Sequence, residues 1–200
     1  LGENASGLAE LFRLFRKRFK RIRPEDKWLA DLIWHCNDKK IETCFDIGAN
    51  VGQFGQKLQK FGYTGTIVSF EPLTEAHQLL SKMAKPFPNW FVESQMALGD
   101  TIDTVEINVS ANSHSSSILD PSAISIKVDS GIKIVNKESV VIDTLDNVVE
   151  RATYLDKRAP SLIKIDVQGY EDKVIFGASH TLSSARLVFV EMNLAPVYEG

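Results

Sequence analysis

Apolar residues recur with two different periods along this chain. In LAELFRLFRKRFKRI (8–22), Leu8, Leu11, Phe12, Phe15 and Phe19 fall at helical spacing with arginines and lysines between them. That pattern predicts an amphipathic basic helix. Pro24 ends it, and EDKWLADLIWHC (25–36) predicts a second helix with Trp28, Leu29, Leu32 and Ile33 on one face. From residue 41 the rhythm changes to short apolar runs: ETCFDIG, GTIVSFEP, NWFVESQMALGD, SLIKIDVQG and RLVFVEMN. The stretches NVGQFGQKLQKFG and LTEAHQLLSKMA between the first of these read as helices, so the spacing implies βαβ units and a parallel sheet with right-handed crossovers. The fold class expected is α/β, a doubly wound, mostly parallel Rossmann-like sheet with five strands in view. Residues 104–142 interrupt the rhythm and predict two or three antiparallel strands and a serine-rich polar loop, an insertion lying over the sheet. No internal repeat occurs. The expected organisation is a basic helix and lead-in helix over 1–40, followed by one ligand-binding domain over 41–200.

Composition narrows the class. Two hundred residues, 44% hydrophobic and 24% charged, suit a single globular domain of α/β size. The net charge is −3, but residues 1–27 hold eight Lys/Arg against four Asp/Glu, which leaves the remainder near −7. Positive charge confined to one helix does not line a cleft, and no DPPY-like or Pro-Cys motif is present, so nucleic acid is not an expected partner. Two readings of the basic helix stay open: a peripheral contact of residues 8–22 with a membrane surface or anionic partner, or a solvated cap whose aromatic stripe packs on the domain. Cys36 and Cys44 have neither disulfide-framework nor metal-ligand spacing, which points to buried thiols in a reducing cytoplasm. No apolar run approaches the ~18 residues that span a bilayer, and charge interrupts any signal-peptide pattern. The chain opens on Leu1 rather than Met and closes on Gly200 just past an apolar run, so a piece of a longer protein is expected, with further strands after Gly200.

The chemistry concentrates in CFDIGANVGQFG (44–55). A ligand of an open parallel sheet binds outside the carboxyl ends of the strands, where Gly48 and Gly52 would let backbone N–H groups approach it. A dinucleotide turn would read GxGxxG; here the spacing is GANVG, with Asp46 before the first glycine. A carboxylate there would repel a pyrophosphate and suit the ammonium and sulfonium of S-adenosylmethionine. Nineteen residues after Gly52, SFEP places Glu71 at the next strand end, where a carboxylate can accept ribose hydroxyls. A plain tight turn is the other reading of the glycines.

Taken together, FDIGANVGQFG, FEP, ALGD (97–100), SHSSSIL, IDTLDNVV and LIKIDVQGYEDKVIFGA resemble the FkbM family of S-adenosylmethionine-dependent methyltransferases, over roughly residues 41–194. The resemblance implies a class I methyltransferase fold with a seven-stranded sheet, hydroxyl acceptors on sugars or polyketides, and cofactor contacts at Asp46, Gly48, Asn50, Gly52 and Glu71. It also places Gln95, or the backbone around Met96 and Ala97, beside the adenine. One departure is IDVQG, with Gln168 where many relatives carry Glu; a catalytic carboxylate at that position is not expected.

Methyl transfer to an alcohol oxygen needs the acceptor aligned and its proton removed. Asp166, ending the fourth predicted strand, is the leading catalytic or acceptor-positioning residue, with turn capping as its structural alternative. His114 in the polar loop is a candidate base, against an ordinary loop histidine. Asp166, Glu191 and Asn193 would offer an all-oxygen divalent metal site, a possibility not favoured over a metal-free mechanism. Asp100, Asp143, Asp146, Glu171 and Asp172 read as turn and helix-start residues. The expected function is S-adenosylmethionine-dependent O-methylation of a hydroxyl on a sugar, glycan or other small molecule. The alternatives are a catalytically silent binding module docking through its basic helix, and an NAD-type oxidoreductase.

Overall fold

The structure, a computed structural model, describes residues 26–111, 116–122, 132–192 and 197–198. The basic helix expected over 8–22, together with His114 and Asn193, lies outside the described residues. Helix α1 (Lys27–Asp38) leads into β1 (Thr43–Ile47), α2 (Gln53–Lys60), β2 (Thr66–Phe70), α3 (Thr74–Ala84) and β3 (Trp90–Val92). Strands β4 (Ala97–Leu98), β5 (Asp103–Ser110) and β6 (Ile134–Asp143) follow, then α4 (Leu145–Arg151), β7 (Ser161–Ile165), α5 (Glu171–Phe176), α6 (Ser179–Ser184) and β8 (Leu187–Val190).

The main sheet has the order β3-β2-β1-β7-β8 and every pairing in it is parallel. Both faces are covered, which is why β1 and β7 are buried along their whole length and read as continuous apolar runs. Successive side chains point to opposite faces. Cys44, Ile67 and Leu162 therefore pack with Leu29 and Ile33 of α1, Leu58 of α2 and Leu80 of α3, while Phe45, Val68, Ile163 and Ile165 pack with Leu145, Val148 and Val174 of α4 and α5. Ile67, Leu80, Leu162 and Ile163 are sealed from solvent, each contributing about 1.5–3 kcal/mol of transfer free energy.

The smaller sheet, β4-β6-β5, is built from the segment that interrupts the βαβ rhythm, and β5 and β6 form the antiparallel pair expected there. Its inner residues Ile107, Val140 and Ile142 pack against Leu73, Ala76 and Ala97. NWFVESQMALGD is not one strand. The Glu93 N–H donates to Ser69 O as the last bond of β3 to β2, and the chain then leaves the sheet, so Ala97 and Leu98 pair with β6 instead. The reason lies at the corner: the Gln95 amide donates to Pro72 O and Thr74 Oγ1, which ties the chain down before it re-enters a sheet.

Candidate active site

The turn after β1 is held by backbone groups. Gly48 and Ala49 N–H both donate to Phe70 O at the end of β2, at 3.1 and 2.9 Å. Asn50 takes a left-handed conformation (φ +49°), its Oδ1 accepting from the Val51 N–H. Both glycines are required by the packing of the protein itself. A Cβ on Gly48 would lie 1.8 Å from Asp166 O of the neighbouring strand, and one on Gly52 would meet Leu80 and Trp90 at 3.0–3.3 Å. Gly48 also borders the cavity described next, whereas Gly52 does not.

A cavity of about 280 Å³ opens over the carboxyl ends of β1, β2, β7 and β8, where open α/β sheets place their ligands. Its walls include Gly48, Asn50, Glu71, Met96, Ala97, Lys164, Asp166, Gln168 and Glu191. Glu71 is 5% exposed; its Oε2 accepts from Asn50 N–H at 2.8 Å and its Oε1 from Leu73 N–H at 2.9 Å. Burial pushes its carboxyl up to about 7, with the two N–H donors and Lys164 pulling the other way. Each carboxylate oxygen keeps a lone pair for a further donor.

Asp46 and Gln95 are not on that wall. Asp46 is fully buried on the face of β1 that carries Cys44, and its register partners are Ser69 on β2 and Lys164 on β7. Lys164 Nζ lies 3.2 Å from Asp46 Oδ1, and Ser69 Oγ donates to Oδ2 at 3.4 Å while accepting from Trp90 Nε1 at 2.9 Å. The cation that Asp46 neutralises in this structure is the protein's own Lys164, and Asp46 does not border the cavity into which the expected ligand ammonium would have to reach. Gln95 spends its amide on Pro72 and Thr74, as above, which leaves Met96 and Ala97 to border the cavity.

Lys164 lies two residues before Asp166, on the same face of the strand by alternation. Only 4% exposed, it donates to Gly48 O at 2.8 Å and stands 3.4 Å from Asp166 Oδ2. Burial alone would lower its pKa, but Asp46 and Asp166 outweigh that and hold it above the ordinary lysine value. Asp166 is a quarter exposed, and its Oδ1 accepts from Gln168 Nε2 at 2.7 Å. Gln168 is itself in the left-handed region (φ +59°); its carbonyl accepts from Ser117 Oγ at 2.6 Å and its Oε1 from Tyr198 OH at 3.1 Å. The serine-rich segment is thus anchored to the turn after β7, and Ser116 and Ser117 border the cavity. Tyr198 joins this cluster from far along the chain, with no local motif to announce it.

Beside Asp166, Glu191 lines the cavity, its carboxyl raised by the Asp166 charge and by burial. Among the described residues no three His, Cys, Asp or Glu side chains converge as a metal site would require. Four other acidic residues have structural partners. Asp100 pairs with Lys173, Asp143 with Arg151, and Glu171 accepts from Val167 and Gly169 N–H. Asp146 accepts from the His180 and Thr181 N–H groups, so it caps the start of α6 rather than that of its own helix. Thr144 Oγ1, accepting from Asn147 N–H, caps α4.

A family model described as a methyltransferase FkbM domain matches residues 46–200. The chain belongs to the FkbM methyltransferase family. No curated protein and no solved structure matches it. No helix among the described residues is long and apolar enough to cross a membrane.

Proposed function

We propose that this FkbM-family chain is an S-adenosylmethionine-dependent O-methyltransferase acting on a hydroxyl of a sugar, glycan or other small molecule. The observation that carries the reading is one cavity with Glu71 at the end of β2 and Asp166 at the end of β7, each fixed by hydrogen bonds before any ligand arrives. The residues present fit the cofactor: Glu71 has oxygen lone pairs for ribose hydroxyls, and Met96 and Ala97 offer an apolar flank for a base. When bound, the cofactor supplies a methyl carbon activated by its sulfonium.

The chain's own part is alignment and proton removal. Lys164 and Gln168 hold the Asp166 carboxylate in one orientation, so that an acceptor hydroxyl can donate to it. Asp166 would take the acceptor's hydroxyl proton, leaving the oxygen free to act as the nucleophile. Glu191, with its raised proton affinity, stands beside it to relay that proton to solvent. Lys164 does not touch the acceptor; it is a positioning residue.

The test is isothermal titration with S-adenosylmethionine, S-adenosylhomocysteine and NADH, comparing the native chain with Glu71→Ala. Binding of the first two, weakened at least about tenfold by the substitution, is the expected result. Binding of NADH alone would overturn the reading.

A further inference from the structure

Tyr198 is buried, and its ring sits over the turn after β7, where a Cβ on Gly169 would come within 2.9 Å of it. Two backbone contacts hold it there: the antiparallel bridge between Tyr198 and Pro121, and the Ser122 N–H donating to Val197 O at 2.8 Å. From that seat its hydroxyl donates to Gln168 Oε1 at 3.1 Å, and Gln168 Nε2 donates in turn to Asp166 Oδ1 at 2.7 Å. The direction of this chain is set at its two ends. An ionised carboxylate only accepts, so the amide turns an N–H toward Asp166 and its oxygen toward Tyr198. Burial, with the charges of Glu171 and Asp166, pushes the Tyr198 hydroxyl up to about 12, so it keeps the proton that it donates.

We propose that Tyr198 is a positioning residue for Asp166, acting through Gln168: it pins the far end of the amide, so that the N–H stays on the carboxylate. This rests on the reading of Asp166 as the base and adds the residue that holds its partner in place. A glutamine side chain is long and flexible, and one hydrogen bond at its tip leaves water free to compete for the amide. Holding both ends removes that freedom before any acceptor arrives. A donor on the amide oxygen also polarises the N–H, so the two bonds strengthen each other. Ser117 supplies the contrast, because its Oγ donates to the Gln168 main-chain carbonyl at 2.6 Å and so holds the backbone of the same residue without touching the amide. The other charges acting on Asp166 are Lys164 beside it on β7, with Asp46 of β1 behind that ammonium, and Glu191 past the end of β8; Glu171 of α5 adds its charge to Glu191 and Tyr198. All of them stay in place when Tyr198 is changed to Phe.

The test is an NMR pH titration of the full chain carrying ¹⁵N in its glutamine side chains, with Gln168→Leu identifying the Gln168 signal and thermal melts showing that each variant folds. In the native chain one Gln168 N–H lies downfield and moves back in a step as acid protonates its partner, and Asp166→Asn removes that step. Tyr198→Phe raises the midpoint of the step by about 0.2–0.6 of a pH unit and speeds exchange of the amide protons with water at least about threefold, whereas Ser117→Ala moves neither. A midpoint and an exchange rate that stay native in Tyr198→Phe, or that Ser117→Ala changes as much, overturn the proposal and leave Tyr198 a contact of the fold alone. A native Gln168 signal without the Asp166-dependent step overturns it as well. The titration is repeated with saturating S-adenosylhomocysteine: a Tyr198 effect in a chain that fails to bind this compound upholds the positioning and overturns the methyltransferase reading instead.

Discussion

Lys164 Nζ and Asp46 Oδ1 lie 3.2 Å apart on adjacent strands, in register, with less than about a twentieth of either residue open to solvent. The pair joins two parts of the site, because the same ammonium donates to Gly48 O in the β1 turn and faces Asp166 at the end of β7. Replacing Lys164 with Met would leave the Asp46 charge buried without its counter-ion, at a cost of about 3–5 kcal/mol. Changing Asp46 to Asn in the same chain removes that orphaned charge. Lys164→Met should therefore be less stable in urea than the double variant, and an equal or greater loss in the double variant would refute the coupling.

Glu71 predicts opposite pH dependences for stability and for binding. Its folded pKa, about 7, lies above the ordinary carboxyl value of 4.5, so between those two values the folded state holds more protons than the unfolded state. Stability should fall as pH rises through that window, with a total on the order of 3 kcal/mol from this one group. Binding of S-adenosylhomocysteine should run the other way, since a protonated carboxyl accepts hydroxyl hydrogens poorly, and should weaken as pH drops below about 7. Glu71→Ala should abolish both slopes, and urea midpoints and titrations from pH 5.5 to 8.5 read them directly.

The two glycines of the β1 turn should not be equally sensitive. Both have positive φ, but a Cβ on Gly48 collides with the backbone carbonyl of Asp166, which cannot rotate away, whereas one on Gly52 meets side-chain atoms of Leu80 and Trp90. Each alanine costs about 1–2 kcal/mol for the left-handed conformation alone. Gly48→Ala adds displacement of β1 from β7 and should lower the melting temperature well beyond Gly52→Ala, as calorimetry would show.

Much of this arrangement is legible in the sequence because it depends on local pattern. TCFDI, TIVSF and SLIKI form strands because largely apolar runs fit a parallel sheet covered on both faces, and Glu71 reaches the cavity wall because a strand end has a fixed place in that sheet. What is hidden depends on which strands become neighbours. Asp46 reads as a ligand contact until β7 docks beside β1 and delivers Lys164 from 118 positions away, a pairing that no spacing within either strand encodes. The same holds for Tyr198 on Gln168. Gln95 stands off the cavity wall for a local reason, since its amide stabilises the corner at which the chain leaves the main sheet.

Asp166 carries the sharpest test of the chemistry. Its two oxygens are committed to Lys164 and Gln168 in geometry but retain acceptor capacity toward the cavity, so an asparagine of the same size keeps the shape and removes the ability to take a proton. Once an acceptor is in hand, Asp166→Asn should reduce turnover by about 10²–10⁴-fold, the range expected for a lost general base. Because Asp166 is not placed against the ribose or the base, the affinity for S-adenosylhomocysteine should stay within about threefold of native. A loss of that affinity comparable to the loss of turnover would mean that Asp166 shapes the cofactor site, and the proton would then have to leave through Glu191. Glu191→Gln separates these cases: it should slow turnover only modestly if Asp166 is the base, and should take over the full 10²–10⁴-fold loss if it is not.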